Sequence, residues 1–270
     1  MDCLSGQWCD SGVCIRCDTD AKCGPGCMAC ADPTPHCSNM GPAPICVQCL
    51  ADMDCAAGTT CVDGSCNDLC AVAATTYDFE AGDQGFTHVP TSGLAGDDPW
   101  KRGMPASSTT CHGGTNCFAT NLSLAGYSSC QTAALISPAI DLSKCTGTTK
   151  VVTLSFWHYY EFEPGSSGRW FDGGTLQFSA DNGATWMDTT TNQAYQGVVN
   201  GTYANCNPTP TIAGHQAWSG TVPGGGWVRV SVDLPTTYFV PQFKFRFLFG
   251  ADEAGNFRGW FIDDVAVTPH

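Results

Sequence analysis

The cysteines are the residues of this sequence with the most chemistry to offer, and they recur at regular spacing. Fourteen of the 19 cysteines lie within the first 70 residues. Segments 1–14 and 53–66 read MDCLSGQWCDSGVC and MDCAAGTTCVDGSC, so the spacing Cys-x5-Cys-x4-Cys is repeated. A segment with so few large apolar residues cannot bury a core of its own, and it needs covalent bridges or a bound metal.

Zinc and disulfides are the two interpretations of this cysteine-rich segment. Pairs with the spacing Cys-x2-Cys, which can hold zinc, occur at Cys14/Cys17, Cys27/Cys30 and Cys46/Cys49. Zinc ribbons do not need the interleaved Cys-x5-Cys and Cys-x4-Cys spacings, and His36 is the only histidine of the segment. We therefore predict disulfides, each worth about 2–5 kcal/mol in so small a unit. The predicted disulfide cysteines are Cys3, Cys9, Cys14, Cys17, Cys23, Cys27, Cys30, Cys37, Cys46, Cys49, Cys55, Cys61, Cys66, Cys70, Cys111, Cys117, Cys130, Cys145 and Cys206.

The repeat also indicates how the sequence begins. In the second copy Cys49 lies six residues before Cys55, and the equivalent position of the first copy would precede Met1. We expect the chain to be a fragment of a longer, repetitive and oxidised surface protein, with any secretion signal removed or lying upstream. Because 19 is an odd number, at least one cysteine should lack a partner within the chain. Cys3 or Cys9 is the expected one.

Carboxylates are the other groups that could carry catalysis. Glu161 and Glu163 lie two residues apart in the strand-like run YYEFE and would point to one face of a sheet. A glycosidase needs two carboxylates on opposite sides of the scissile bond, which such a pair does not supply. The sequence also contains no His-Glu-x-x-His motif and no Gly-x-Ser-x-Gly elbow. We predict a non-catalytic protein.

Charge excludes two classes of partner. Only 13% of the residues are charged, the formal net charge is −14, and the 11 Lys and Arg residues are scattered. Nucleic acids and anionic membrane surfaces require clustered positive charge, so neither is an expected partner. No run of about 18 apolar residues occurs, which predicts no membrane insertion. An acidic balance is compatible with cation binding, and it is also common in secreted proteins.

Two domains are predicted: a Cys-rich repeat segment at 1–70 and a strand-rich domain at 71–270. Residues 71–76 read AVAATT, a short low-complexity joint between them. The 200 residues of the second domain are enough for one large all-β domain or two small ones.

Strand patterns dominate the second domain. The run 151–160 is rich in β-branched and aromatic residues. In the run 243–249 four phenylalanines share one face, while Lys244, Arg246 and Leu248 share the other. No stretch shows convincing helical periodicity. The pattern predicts an all-β fold, an antiparallel β-sandwich in which one face of each sheet is buried.

Four further motifs resemble those of MAM-like jelly-roll domains. Residues 77–86 (YDFEAGDQGF) look like the opening strand of that family, and 135–142 (LISPAIDL) look like its L-x-S-P-x-I-D-L strand. Residues 172–186 and 259–265 (GWFIDDV) look like its later motifs, in the family's order. The resemblance spans nearly all of 77–267 and implies a galactose-binding-like jelly roll. Bacterial versions occur as accessory domains of immune-inhibitor-A-type metallopeptidases and in multidomain adhesins.

The first 70 residues resemble the short Cys-rich repeats that form stalks in large bacterial surface proteins. This resemblance implies a stiff, protease-resistant spacer, and a small module that caps the next domain is the alternative. The strand-rich domain departs from the MAM-like pattern in its five extra cysteines and in a long insertion from Tyr195 to Gly226. Function carried by loops is expected in such departures.

The resemblance also implies a structural calcium ion. Galactose-binding-like jelly rolls often hold calcium between the first and last strands, with a first-strand Glu and a last-strand Asp as ligands. Glu80 matches the former position and Asp263 or Asp264 the latter, and only one of the two should reach it because strand side chains alternate. Calcium takes six to eight oxygens, so Asp83 or Asp98 could complete the shell. The alternative is that these acids are solvated turn residues.

The tryptophans suggest glycan binding, because sugar rings stack on exposed aromatic faces. Seven of the eight lie in the strand-rich domain. Trp157, Trp186 and Trp260 lie within strand motifs and are predicted core residues. Trp100, Trp170 and Trp218 lie in turn-rich context and are the predicted ligand platforms, although packing of each against a loop is the alternative.

The sequence therefore predicts a non-catalytic extracellular recognition or adhesion module that binds glycan or protein at a bacterial cell surface. Its parts would be a disulfide-bonded stalk and a calcium-stabilised jelly roll. One alternative is an accessory region of a secreted metallopeptidase. Another is a structural subunit of a surface filament or layer, which would self-associate through the Cys-rich segment.

Overall fold

The computed structural model of the chain describes residues 7–10, 13–16, 18–20, 22–23, 29–38, 44–70, 74–92, 96, 98–106, 110–123, 125–146, 150–201 and 203–270. At residues 7–10, 13–16, 18 and 22 it describes the backbone alone. The chain divides into two compact units, Met1–Val72 and Ala73–His270. Among the described residues, no helix is long and apolar enough to cross a membrane.

The first unit consists of short antiparallel hairpins. Its strands are β1 (Gln7–Asp10), β2 (Val13–Arg16), β3 (Asp18–Thr19), β4 (Lys22–Cys23), β5 (His36–Ser38), β6 (Ile45–Val47), β7 (Thr59–Val62) and β8 (Ser65–Asp68), with a 3-10 turn at Asp52–Asp54. They pair as β1–β2, β3–β4, β5–β6 and β7–β8, each a separate two-stranded sheet. An isolated hairpin is marginally stable at best in water, so this unit depends on its covalent links.

The hairpins repeat one arrangement of cysteines. Cys37 of β5 lies opposite Cys46 of β6, and Cys61 of β7 lies opposite Cys66 of β8. Each of these four residues is bonded to a cysteine earlier in the chain, through the bridges Cys23–Cys37, Cys30–Cys46, Cys49–Cys61 and Cys55–Cys66. Sulfurs held in bridges are not zinc ligands, so the prediction of disulfides is confirmed for these eight residues.

The remaining cysteines of the first unit are only partly described. Cys70 is disulfide-bonded. The backbones of Cys9 and Cys14 lie opposite each other in β1–β2, in the same register as the later pairs. Their side chains, and all of Cys3, Cys17 and Cys27, lie outside the described residues. The predicted unpaired cysteine therefore stays a prediction.

The second unit is a sandwich of two antiparallel sheets, as predicted. Its strands are β9 (Thr75–Tyr77), β10 (Thr87–Pro90), β11 (Lys101–Gly103), β12 (Cys117–Ala119), β13 (Thr132–Ile136), β14 (Val152–Glu161), β15 (Gly173–Ser179), β16 (Met187–Asp188), β17 (Gly197–Val198), β18 (Gln216–Ala217), β19 (Val228–Asp233), β20 (Lys244–Gly250) and β21 (Gly259–Pro269). Single 3-10 turns occupy Ser143–Cys145, Pro223–Gly225 and Thr236–Tyr238. The five-stranded sheet has the order β10-β13-β20-β15-β16, and the six-stranded sheet has the order β11-β12-β21-β14-β19 with β9 also on β21.

The first and last strands of the second unit are neighbours. β9 pairs with β21 in antiparallel register, Tyr77 opposite Val265. β9 begins at Thr75, inside the run predicted to be a joint. The joint was predicted too long because its Thr-Thr dipeptide is a strand former whose partner strand lies far along the chain.

The core between the sheets follows the alternation of β20. Phe243, Phe245, Phe247 and Phe249 are all fully buried, as predicted. Phe247 packs against Phe156 of β14 in the opposite sheet, with ring centroids 4.9 Å apart. Aromatic rings in this edge-to-face range bury large apolar areas and dominate core stability.

The buried indole of Trp260 requires a glycine at one position of the motif at 172–174. The indole of Trp260 is fully buried in the sandwich. A Cβ placed on Gly174 of β15 would lie 2.4 Å from its ring, closer than any side chain tolerates. Glycine at this position therefore lets the ring approach the backbone of the facing sheet.

The insertion between β16 and β19 covers part of the outer face of the five-stranded sheet. Leu248 points away from the sandwich core and is nevertheless 1% exposed. It lies in a second apolar cluster with Ala134, Val199, Ile212 and Ala217. The Cys130–Cys206 disulfide ties the insertion to the end of the sheet. Arg246 and Lys244, further along β20, remain half-buried at the surface.

Candidate functional site

Three of the predicted calcium ligands contact the loop that the Cys111–Cys117 disulfide closes. Glu80 accepts the backbone N–H groups of Thr115 and Asn116 on Oε1, at 2.9 and 2.7 Å. Side-chain donors of the same two residues reach Oε2 at 3.0 and 3.3 Å. These donors, the backbone N–H of Asn116 foremost, lower the pKa of Glu80 to about 2. Glu80 is therefore ionised at neutral pH and anchors the loop.

Asp263 and Asp264 hold the other side of the same loop. Asp263 accepts the backbone N–H of Gly113 at 3.0 Å, and the Asp264 carboxylate lies 2.6 Å from Nδ1 of His112. The prediction that only one of these two acids could reach this place is wrong. The register between β14 and β21 shifts beside them, and Asp264 has a φ of 46°. A bulge of this kind interrupts the alternation of the strand, so consecutive side chains reach one loop.

The two aspartates of this loop differ in their surroundings. Asp263 is fully buried, whereas Asp264 is half-buried. Burial raises the pKa of Asp263 to about 7, although the N–H of Gly113 opposes the rise. The charge of Asp263, and with it the strength of the contact to Gly113, therefore changes near neutral pH.

The remaining predicted calcium ligands are not brought to this loop. Asp83 forms an ion pair with Arg102 at 3.0 Å, and Asp98 lies 2.6 Å from Nδ1 of His88. Within the described part of the chain, no group of three Cys, His, Asp or Glu side chains with ligand atoms inside 4.8 Å of one another includes Glu80. Peptide N–H groups face the loop-anchoring acids, so the five predicted residues do not form one shell of six to eight oxygens. Calcium binding by this domain stays a prediction.

Three carboxylates outside the predicted set lie within 4.8 Å of one another: Glu163, Asp172 and Asp252. Asp172 accepts the hydroxyl of Tyr127 and the backbone N–H of Asp252, each at 2.6 Å. Burial raises the pKa of Asp172 to about 8, and burial also raises that of Glu163. A proton on Asp172 at neutral pH relieves the repulsion among the three. Hydrogen bonds therefore hold Asp172 in the fold, whereas Glu163 Oε2 is buried without a hydrogen-bond partner among the described residues.

Two of the three predicted ligand platforms are core residues instead. Trp100 is 1% exposed and Trp218 is fully buried. Both pack against Trp260, with ring centroids 5.7 and 5.8 Å apart. Their indole N–H groups donate to the carbonyls of Ala133 and Gln193 at 3.4 Å. The prediction is wrong for both because the turn-rich segments that carry them fold inward and place the rings in the sandwich.

Trp170, the third predicted platform, keeps part of its surface exposed. A Cβ on Gly197 would lie 2.4 Å from its Nε1, and a Cβ on Gly165 would lie 2.4 Å from its ring. These two glycines let the backbone approach the indole closely. The ring therefore packs between two loop segments, and Trp170 remains a candidate platform.

Two indoles predicted to be core residues lie at the surface. Trp157 and Trp186 are half-buried, as is Trp227. The ring of His112 stacks on Trp157 with centroids 3.9 Å apart, and the guanidinium carbon of Arg246 lies 4.5 Å from the Trp186 ring centroid. The prediction is wrong for Trp157 and Trp186 because a strand pattern shows that a residue lies in a strand, not which face it occupies.

A row of polar side chains crosses the outer face of the five-stranded sheet, and the sequence analysis did not identify it. The register places Arg246 opposite Gln177, and Gln177 opposite Asp188. Arg246 Nε donates to Gln177 Oε1 at 2.7 Å, and Gln177 Nε2 donates to Asp188 Oδ1 at 2.6 Å. His215 of the insertion lies 2.9 Å from the same carboxylate. One signal was available: Lys244 and Arg246 are two of only 11 cations and share the polar face of a phenylalanine-rich strand.

A surface depression of about 400 Å³ lies elsewhere on the unit. Its lining includes Asp98, Lys101, Asn121, Ser128 and Gln131. The Asn121 amide and the Gln131 side-chain carbonyl both bond neighbouring residues. Much of this polar lining is therefore already hydrogen-bonded within the protein.

No protein-family model matches the sequence, and no curated protein matches it. Solved structures that resemble the chain include adhesin and carbohydrate-binding domains. The K3 cleaved adhesin domain of Lys-gingipain from Porphyromonas gingivalis is 19% identical, with 72% of this chain and 98% of that chain covered and a TM-score of 0.41. A xylan-binding CBM22-1 domain from Paenibacillus barcinonensis is 13% identical (72% and 92% covered, TM-score 0.37). The CBM27-1 domain of Caldicellulosiruptor saccharolyticus, solved with mannohexaose, is 11% identical (72% and 96% covered, TM-score 0.41).

Proposed function

We propose that the second unit is a non-catalytic extracellular recognition module that binds glycan or protein at a cell surface, and that the first unit is its disulfide-bonded stalk. One observation carries the proposal. Trp157, Trp170, Trp186 and Trp227 remain partly exposed on a unit that buries its other three tryptophans completely or nearly so. Indoles that keep part of the ring exposed can pack against sugar rings, and tryptophan is also enriched at protein interfaces.

The disulfides support an extracellular location. Bridges occur in both units, from Cys23–Cys37 to Cys130–Cys206. Such bonds form and persist in oxidising compartments and are rare in reducing ones. The order of the motifs between 77 and 267 supports a relationship with MAM-like accessory jelly rolls, and the repeats of the first unit support a bacterial surface protein.

The most deeply buried histidine is not a candidate catalytic residue. His158 lies in the core of the second unit, and burial lowers its pKa to about 3. Its Nδ1 accepts the indole N–H of Trp260 at 3.2 Å. A neutral imidazole hydrogen-bonded inside the sandwich packs the core, and it does not exchange protons with a substrate.

The test is a binding screen of the full chain against arrayed glycans and surface proteins. Alanine in place of each half-exposed indole, one at a time, should weaken binding about tenfold at the position that contacts the ligand. Met187→Ala is the matched control, because Met187 is apolar and 62% exposed but offers no ring. If the unaltered chain binds nothing, or if all four variants bind as it does, the proposed function is contradicted.

A further inference from the structure

We propose that Arg246 is the anion-binding residue of a site for a uronic acid, a sugar ring that carries a carboxylate. The site lies on the outer face of β20 and comprises Arg246, Trp186, Gln177 and Lys244. The proposal rests on the proposed function and names a ligand class for it. Four observations support it.

The guanidinium group of Arg246 is held in one orientation. Its Nε donates to Gln177 Oε1 at 2.7 Å, and Gln177 is only 2% exposed. The Gln177 amide is fixed in turn, because its Nε2 donates to Asp188. The opposing register of the three strands places all three side chains on the same face. An arginine oriented in this way loses little side-chain entropy when it binds a ligand.

The terminal nitrogens of Arg246 are the donors that would hold a carboxylate. Among the described residues no hydrogen-bond acceptor for Nη1 or Nη2 is found, and neither Arg246 nor Lys244 has an acidic partner within 4.0 Å. Burial lowers the pKa of Arg246 to about 10, so it stays cationic at neutral pH. The two terminal nitrogens of a guanidinium form a fork that matches the two oxygens of a carboxylate.

Trp186 supplies the contact that distinguishes a sugar from a simple anion. The guanidinium carbon of Arg246 lies over the indole of Trp186, 4.5 Å from the ring centroid, and the rest of the ring is partly exposed. A carboxylate on the fork of Arg246 therefore places the sugar ring that carries it beside the indole. The C–H faces of a pyranose pack on aromatic rings, which a phosphate or sulfate ion cannot do.

The local charge favours an acidic ligand even though the chain is acidic overall. The formal net charge is −14, with only 11 Lys and Arg residues. Lys244 lies two residues before Arg246 and on the same face of β20. The nearest acid of the row, Asp188, is bonded to Gln177 and to His215 of the insertion. Among the described residues neither cation has an ion-pair partner within 4.0 Å, although the charge of Asp188 still acts on Arg246. The two cations share one surface at the edge of the insertion, which is complementary to a carboxylate.

The experiment is titration calorimetry of the full chain with trigalacturonate and with its fully methyl-esterified form. The acid should bind and the neutral ester should bind at least tenfold more weakly. Arg246→Gln should weaken binding of the acid about 10- to 100-fold, since it removes a charge-assisted bidentate contact. Arg246→Lys, which keeps the charge but not the fork, should bind the acid with an affinity between those of the unaltered chain and Arg246→Gln. Trp186→Ala should weaken binding without changing the preference for the acid over the ester.

Arg229→Gln is the matched control, because it removes the same charge from the outer side of the other sheet, where Arg229 bonds Ser155. Its affinity should stay within twofold of the unaltered chain. Melting curves of every variant show whether the fold is retained, and Arg246→Lys carries the test if Arg246→Gln does not fold.

Four results would overturn the inference. The first is equal binding of acid and ester, and the second is full affinity in both Arg246 variants. The third is binding of a tetraglutamate peptide through Arg246 when trigalacturonate does not bind, which would assign the site to a protein. Neutral glycans bound in the screen by a chain that does not bind trigalacturonate would also overturn it, while the proposed function would stand.

Discussion

Oε1 of Glu80 lies 2.7 Å from the backbone nitrogen of Asn116, a residue 36 positions further along the chain. Asp263 of β21 holds the same loop from the other side, through the N–H of Gly113. β9 and β21 are paired, so these acids come from the beginning and the end of one domain. A single disulfide-closed loop thus joins the two ends of the sandwich through carboxylates that accept peptide N–H groups.

Replacing Glu80 by Gln should lower the melting temperature at neutral pH by a few degrees, because an amide accepts N–H donors less strongly than a carboxylate does. The pKa of Glu80 is lowered from its ordinary 4.5 to about 2 in the folded state. Its stabilising effect is therefore present above about pH 4.5 and is lost as the pH falls toward 2. Calorimetric melting of both proteins across this range should show the difference shrinking in acid. A difference that is constant at every pH would contradict the assigned role.

Calcium binding, which the resemblance implies, is tested by chelation. If a calcium ion binds the folded domain, EDTA should lower the melting temperature of the full chain, since a ligand that binds only the folded state stabilises it. Glu80→Gln should abolish that sensitivity. An unchanged melting curve in EDTA would mean that Glu80, Asp263 and Asp264 anchor the loop and do not bind calcium.

Asp172 should make the stability of the domain depend on pH in the direction opposite to that of Glu80. Its pKa is raised from 3.8 to about 8 in the folded state, so the folded chain binds this proton more tightly than the unfolded chain. Stability should therefore fall as the pH rises from about 4 to about 8, by up to about 1.4 kcal/mol per pH unit. Asp172→Asn stays neutral and should flatten this slope in urea unfolding. Asp263 adds a pH dependence of its own below pH 7. The quantity to measure is therefore the difference in free energy of unfolding between the unaltered chain and Asp172→Asn.

Trp218 and Trp186 should respond differently to alanine. Trp218 is fully buried against Trp260, and its loss should cost about 3–5 kcal/mol of the free energy of unfolding. Trp186 is half-exposed on the outer face, so its loss should cost less than about 1.5 kcal/mol. Urea unfolding measures both. Equal losses would mean that the assignment of core and surface indoles is wrong.

The alternation of buried and exposed side chains along a strand is the part of the fold that the sequence predicts best. The four phenylalanines of β20 are buried on one face, as their spacing of two residues requires. The same spacing leaves Lys244 and Arg246 on the other face, where they carry the proposed uronate site. The presence of disulfides in the first unit follows equally from the spacing of its cysteines, whereas their pairing follows only from the structure.

The predicted site was recovered only in part, and the errors share a cause. Glu80, Asp263 and Asp264 do meet at one loop, but the alternation rule allowed only one of the aspartates there. The bulge at Asp264 is evident only from the pairing of β21 with β14. A one-residue irregularity changes which face every later side chain occupies, and a single sequence does not show where it falls.

The sequence by itself determined the strand-forming runs, the faces of β20 and the need for covalent bridges, because each depends on neighbours a few residues away. Only the tertiary structure decided which indoles are exposed. Trp218 is buried by strands remote in sequence, and the insertion covers Leu248 of β20 fully while Arg246 remains half-buried. Exposure depends on which distant segment folds over a side chain, and that follows from packing of the whole domain.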